Sequence, residues 1–206
     1  MEVIELRPYQ KTIIDIGSQT LLSRGFVYLA MEVRTGKTLT SLGIADRVKA
    51  VNVLFVTKKK AISSIEDDYQ LLNPSFNLTT INYESIHKIP DIQWDVIICD
   101  EAHSMGAFPK PSKRAKQVKE LIGKTKPFVI LLSGTPTPES FSQMYHQVYG
   151  IPTNPFAHYK NFYRFSDDYV NVRIKPIGGL QIRDYSAGHE SILEMMRPFT
   201  INFSQK

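Results

Sequence analysis

"YLAMEVRTGKTLTSL" spans Tyr28 to Leu42, and the way it is read decides the fold of the chain. It carries Gly36-Lys37-Thr38 at the start of a run with Leu39, Leu42 and, just beyond, Ile44 at helical spacing. A loop that holds phosphate needs backbone N–H groups around the phosphates, a lysine that reaches the outer ones, and a Ser or Thr hydroxyl for Mg²⁺. The positive end of the following helix adds to the attraction. Gly36, Lys37 and Thr38 supply these groups, with Thr35 beside them, but Met31 and Arg34 stand where glycines are usual. Two readings follow: an altered phosphate loop, or a chance Gly-Lys-Thr at the head of a helix.

Its surroundings favour the first. "GFVYLA" (25–30) is a short apolar strand, and a helix is expected from Lys37 to Val48. Outward from there, the sequence predicts a helix over 8–23, with Ile13, Ile14, Leu21 and Leu22 on its apolar side. It predicts strands at 51–57, 77–82, 94–100 and 127–133, and helices after Thr57 up to Leu72, at 112–123 and at 139–149. Short continuous apolar strands alternating with helices imply a mostly parallel sheet sandwiched by helices, the α/β doubly wound class. In such sheets ligands gather at the carboxyl ends of the strands. After Gly150 the texture changes to an aromatic, Pro-punctuated stretch, a strand–turn–strand over 172–185 and a last helix over 186–199. The expected organisation is therefore a lobe over 1–150 and a small aromatic-rich extension over 151–206. No terminal cap is visible in "TINFSQK", so the chain is expected to be cut from something longer.

A second stretch decides between the two readings. "VIICDEAH" (96–103) is an apolar strand ending in Asp100-Glu101, which a parallel sheet places beside the loop. Nucleotide hydrolysis uses both carboxylates: one holds Mg²⁺, usually through water, and the other polarises the attacking water. Loop and carboxylates together read as a nucleotide site.

The 206 residues are 42% hydrophobic and 22% charged, an ordinary globular balance. No apolar run approaches the ~20 residues of a membrane span. The acidic, mixed start "MEVIELRPYQ" does not read as a secretory signal. The single cysteine, Cys99, lies in an apolar strand, which excludes an internal disulfide and fits a reducing compartment. A net charge of +5 permits a polyanionic partner without demanding one.

With these residues in place, the chain resembles the first RecA-like P-loop domain of superfamily 2 helicases and translocases, within them the Swi/Snf group, as a compact phage or bacterial member. "LRPYQ" (6–10) is similar to the adenine-side motif, "MEVRTGKT" (31–38) to motif I and "VLFVTKKKAISSIEDDY" (53–69) to motif Ia. "TINYESI" (80–86) resembles a Thr-Tyr-Glu-Ser stretch, with Asn82 where a Thr is usual. "DEAH" (100–103) matches motif II, "LLSGTPTPES" (131–140) motif III, and "MMRPFTINF" (195–203) resembles the end of the first lobe.

The resemblance implies ATP and Mg²⁺ as cofactors. Lys37 would bind phosphate, Thr38 and Asp100 would hold Mg²⁺, and Glu101 would activate water. Gln10 and Arg7 would select adenine, while Thr35 and Gly36 line the loop. Arg34 would reach a phosphate or a neighbouring carboxylate, or point to solvent. His103, Ser133 and Thr135 would couple the nucleotide state to motif III.

It also implies a nucleic-acid partner, DNA rather than RNA, met at the backbone by Lys58, Lys59 and Lys60. Lys110, Lys113, Arg114 and Lys116 form a second basic run. Tyr83 is open between stacking on a base and packing in the core. A second RecA-like lobe carrying an arginine finger is expected in the parent chain, which is expected to be a monomer. The expected compartment is the cytoplasm of a bacterium or of a phage-infected cell, with the nucleus a second reading. Two functions compete: a nucleic-acid-stimulated ATPase lobe, and a module that binds nucleotide or DNA without turnover. A small kinase, the third, is disfavoured by motif III and "LRPYQ".

Overall fold

The structure, a computed structural model, describes residues 4–205. Helix α1 (Pro8–Arg24) begins with Pro8 in its first turn, where a missing N–H costs nothing. The Gln10 side chain turns back to accept the Arg7 N–H at 2.8 Å. Gly25 ends the helix in the left-handed conformation, its N–H bonded to the Leu21 carbonyl. β1 (Phe26–Met31) follows, then α2 (Lys37–Arg47), β2 (Asn52–Thr57), α3 (Ile62–Leu72), β3 (Asn77–Asn82) and β4 (Val96–Cys99). The remainder is α4 (Lys113–Thr125), β5 (Phe128–Ser133), α5 (Met144–Val148), α6 (Phe162–Tyr169), the hairpin β6 (Arg173–Ile177) and β7 (Leu180–Asp184), α7 (Ser191–Met196) and β8 (Thr200–Phe203).

Six strands form one sheet in the order β3-β2-β4-β5-β1-β8, and every pair is parallel. Alternate residues of each strand feed two cores. Val27, Leu29, Phe55, Ile98 and Leu132 meet Ile13 and Ile14 of α1, Leu42 and Ile44 of α2 and Ile65 of α3 on one face. Phe26, Tyr28, Val56, Ile97 and Leu131 meet α4, α5, α6 and α7 on the other. Much of the chain after Gly150 is thus part of the same packing: Phe156, Phe162, Phe165, Ile192 and Phe199 lie in the second core.

The α/β sandwich expected from the alternation is present, with differences at its C-terminal end. The helix expected over 139–149 is a 3-10 turn (Phe141–Gln143) followed by the short α5. The last helix shrinks to six residues, because Pro198 follows closely and the chain turns through Arg197–Phe199. Two elements have no counterpart in the sequence reading. In α6, Phe162 and Phe165 are buried and the Asn161 side chain caps the N-terminus by accepting the Arg164 N–H. β8 pairs with β1 as the sixth strand, and its four residues are half-buried or exposed. It therefore lacks the continuous apolar run that marks a buried strand.

Candidate functional site

Because all six strands run the same way, the segments after β1, β2, β4 and β5 emerge at one edge of the sheet. β1 runs on to Met31, which is fully buried at the end of the strand, so the loop proper is residues 32–36. Arg34 holds φ 65° and Gly36 φ 76°, both in the left-handed region. Gly36 has a second constraint: a Cβ there would come within 2.2 Å of the Gln10 amide nitrogen. α2 has no side-chain cap, so its first-turn N–H groups remain open to an anion.

Lys37 Nζ donates to the Glu32 carbonyl at 3.1 Å, and the buried Thr35 hydroxyl donates to the same oxygen at 2.6 Å. The lysine is thereby parked along the loop. Thr38 is half-buried in the first turn of α2, and the Arg34 side chain is exposed. The Gln10 amide donates to the Gly36 carbonyl at 3.4 Å while its oxygen caps α1. Arg7 Nη1 donates to the Tyr9 hydroxyl, which in turn donates to the Thr35 carbonyl at 2.9 Å. Tyr9 was not singled out from the sequence, yet it ties "LRPYQ" to the loop and stacks on Phe203 of β8 at 4.2 Å between ring centroids.

Asp100 follows β4 directly. Its carboxylate accepts from the Thr57 hydroxyl at 2.9 Å and from the Glu101 N–H at 3.0 Å. Burial raises its pKa above the ordinary carboxylate value, and the Glu101 charge adds to this, while those hydrogen bonds and the nearby Lys37 charge pull it down. Thr57, at the last position of β2, was also missed; a lone Thr at a strand end carries no signal until the partner strand is known.

Glu101 has φ 52°, and its carboxylate lies 3.2 Å from His103 Nε2 and 3.9 Å from Lys58 Nζ. His103 Nδ1 is 2.7 Å from the Ser133 hydroxyl, and Ser133 Oγ accepts the Thr135 N–H at 3.1 Å. The negative charge of Glu101 facing Nε2 favours a proton on that nitrogen, and in that tautomer Nδ1 accepts from Ser133. Hydrogen bonds thus link Thr135, just past β5, through Ser133 to His103, whose Nε2 faces the Glu101 carboxylate.

The structure therefore brings together Lys37, Asp100, Glu101, His103, Ser133, Thr135 and Lys58, with Arg7 and Gln10 behind the loop. Lys59 and Lys60 are exposed on a 3-10 turn after β2. Tyr83 is a correction to the base-stacking alternative. It is fully buried, its hydroxyl donates to the Asp100 carbonyl at 2.6 Å, and the Arg114 guanidinium covers its ring at 4.7 Å. No face is left for a base. Arg114, from the second basic run, also pairs with Glu84.

The donor set suits a phosphorylated ligand with a divalent cation. A partly desolvated carboxylate with a raised pKa gains from a nearby cation. Among the described residues no three His, Cys, Asp or Glu side chains gather as a metal cluster. An ion here would take most of its ligands from water and phosphate, as Mg²⁺ prefers.

The chain is similar to several known proteins. The RNA polymerase-associated protein RapA of Yersinia pestis (strain Pestoides F) is 32% identical over 80 residues, 39% of this chain and 8% of that protein. RapA of Serratia proteamaculans (strain 568) is 32% identical over 95 residues, 45% of this chain and 10% of that protein. The chain thus spans about a tenth of these relatives' length or less. The SWI2/SNF2 ATPase core of Sulfolobus solfataricus, solved in complex with dsDNA, superposes with a TM-score of 0.71 at 18% identity. That alignment covers 97% of this chain and 44% of the archaeal one, and at that identity it speaks for the fold. Residues 29–206 match the SNF2-related domain, a stretch that includes the 32–36 loop, Asp100, Glu101 and β8, and the chain belongs to that family.

Proposed function

We propose that this chain is the ATP-binding first lobe of a nucleic-acid-dependent ATPase of the helicase or translocase type, with DNA as its track. In this reading, residues 1–150 are the RecA-like lobe and 151–206 its extension, leading to a second lobe that closes over the nucleotide. The observation that carries the proposal is the meeting, at one sheet edge, of the uncapped α2 N-terminus with Lys37 and the Asp100-Glu101 pair. The RapA and SWI2/SNF2 relatives support nucleic acid as the partner, since one is named for association with RNA polymerase and the other was solved on dsDNA.

Lys37 leaves the Glu32 carbonyl to meet the outer phosphates, and the α2 N–H groups take the remaining phosphate charge. Thr38 and Asp100 would hold Mg²⁺, which would supply positive charge to the phosphate oxygens. Glu101 accepts the proton of the attacking water, and His103 keeps its carboxylate oriented through the Nε2 contact. Arg7 and Gln10 lie on the adenine side. Lys58, Lys59 and Lys60 meet backbone phosphates, which gives affinity without sequence choice.

The test pairs two variants. Lys37→Ala is expected to weaken binding of a non-hydrolysable ATP analogue with Mg²⁺ by at least ~10-fold in calorimetric titration, the loss of a charged hydrogen bond. Glu101→Gln, in a protein that includes the second lobe, is expected to keep that affinity and lose ~10²–10⁴ in steady-state hydrolysis. Undiminished turnover in the second variant removes Glu101 from proton transfer, and unchanged affinity in the first moves the phosphates elsewhere.

A further inference from the structure

The hairpin β6–β7 is unlike every other element of the chain. Its residues are exposed on both faces, apart from the half-buried Asp184, and it packs into neither core. A lone two-stranded ribbon is marginal in water and gains from being enclosed. Yet it is tightly closed: Gly178 and Gly179 turn at φ 57° and 81°, and five residue pairs from Arg173↔Asp184 to Ile177↔Leu180 hold the register. Large aliphatic side chains stand in the open on both sides. Ile177 (57% exposed) and Leu180 (69%) flank the tip on one face, and Ile174 (63%) stands on the other. Arg173 and Arg183 lie on opposite faces nearer the base, and Lys175 pairs with Asp184 at 2.7 Å. The ribbon thus carries three cations against one carboxylate that is already paired.

Its base is fastened to the segment that follows Thr135. Ser142 Oγ donates to the Tyr185 carbonyl and Ser140 Oγ to the Ser186 carbonyl, both at 2.7 Å. Gly188 lies so close that a Cβ would come within 2.7 Å of the Ser142 nitrogen. Ser140 and Ser142 lie in the loop and turn between β5 and α5, so the ribbon is rooted in the chain leaving the carboxyl end of β5.

We propose that β6–β7 is a second nucleic-acid contact, a ribbon that enters the major groove of duplex DNA. The inference rests on the reading of the chain as a DNA-dependent motor lobe and specifies how it meets its track. A flat protein partner would cover one face of a ribbon, whereas a groove covers both. The B-form major groove, about 12 Å wide, admits a two-stranded ribbon. Its phosphate walls suit Arg173 and Arg183 on opposite faces, and its floor, with thymine methyl groups, suits an aliphatic tip. Strands of five residues extend about 17 Å, beyond the groove's depth of about 8.5 Å. The deep, narrow major groove of A-form RNA excludes such a ribbon. The ribbon therefore selects duplex DNA over duplex RNA.

The test compares the full chain with its Arg173→Gln/Leu180→Ser/Arg183→Gln variant in anisotropy titrations with labelled duplex DNA, duplex RNA and single-stranded DNA across a salt series. All three positions are exposed, and an ATP-analogue titration checks that the variant is folded; Arg183→Gln alone serves if it is not. The expected result is about tenfold weaker binding of duplex DNA, with a salt slope shallower by about 2 from two lost phosphate contacts, and little change for duplex RNA. Equal DNA affinity in wild type and variant, or an equal loss for duplex RNA, overturns the ribbon while leaving the motor-lobe reading in place. A change in self-association with unaltered DNA binding assigns the ribbon to a second copy of the chain and also overturns it. A wild-type chain that binds no nucleic acid, while still binding the ATP analogue, overturns the choice of track as well.

Discussion

Arg34 and Glu101 both hold left-handed backbone angles, on two loops that meet at the same edge of the sheet. A side chain with a Cβ is held there at a cost of about 1 kcal/mol, and such positions cluster where a site dictates the backbone. For Glu101 the gain is visible: the conformation aims the carboxylate at His103 and Lys58. For Arg34 the exposed side chain shows no compensating contact among the described residues. Arg34→Gly is therefore expected to stabilise the free protein by roughly 0.5–1 kcal/mol, seen as a rise of about 1–4 °C in Tm. An unchanged or lower Tm would mean that the arginine steadies the loop as much as its φ strains it. Lys37, Asp100 and Glu101 stood out in the sequence as candidates because their types and order fit a nucleotide site. Thr57 and Tyr9 did not, since each acts only through a partner far away in sequence.

At the scale of elements, α5 is a five-residue helix wedged among aromatic rings, and His146 is its most consequential member. The ring is nearly fully buried, and Nε2 lies 2.8 Å from the Pro109 carbonyl. A carbonyl only accepts, so the proton sits on Nε2, and Nδ1 is left buried with no hydrogen-bond partner among the described residues. Burial lowers the pKa of His146 from 6.5 to about 4, the nearby Lys119 charge lowers it further, and the Pro109 contact opposes them. The unfolded chain takes up this proton first as pH falls. Stability linked to His146 is thus whole above pH ~6.5 and declines towards pH ~4, by up to about 3 kcal/mol. Urea unfolding of wild type between pH 7 and 4.5 is expected to show the decline, and His146→Gln is expected to flatten it. Equal slopes in the two proteins would assign the acid sensitivity to carboxylates instead. β8 is the other element that decides the architecture: it extends the sheet beyond β1 and brings Phe203 against Tyr9, next to the 32–36 loop.

At the scale of the molecule, the proposed mechanism divides the chemistry between two lobes. This chain supplies Lys37, Thr38, Asp100 and Glu101, while charge developing on the phosphoryl oxygens calls for an arginine from the facing lobe. A finger of that kind is worth ~10³–10⁵ in rate, or about 4–7 kcal/mol. The 206-residue chain by itself is therefore expected to release phosphate at trace rates and to unwind nothing. Phosphate release with and without DNA, beside a protein that includes a second lobe, measures this. Robust, DNA-stimulated turnover by the chain alone would mean that a second molecule supplies the finger.

By itself the sequence determined the alternating α/β order and five of the six strands of the sheet, and it marked Gly36-Lys37-Thr38 and Asp100-Glu101 as candidates. Each of these is local: an apolar run, a helical period or a short motif holds its whole signal within a few residues. Tertiary structure alone decided that Thr200–Phe203 is a sixth strand, that Tyr83 is a buried prop beneath Asp100, and that His103 sits between the Ser133 hydroxyl and the Glu101 carboxylate. These depend on which segments of a parallel sheet become neighbours, and β1 lies beside β5 and β8, roughly a hundred residues or more further along the chain. A strand of four half-exposed residues, or a buried tyrosine bonded to a distant backbone carbonyl, has no period to read; only the partner gives it a role.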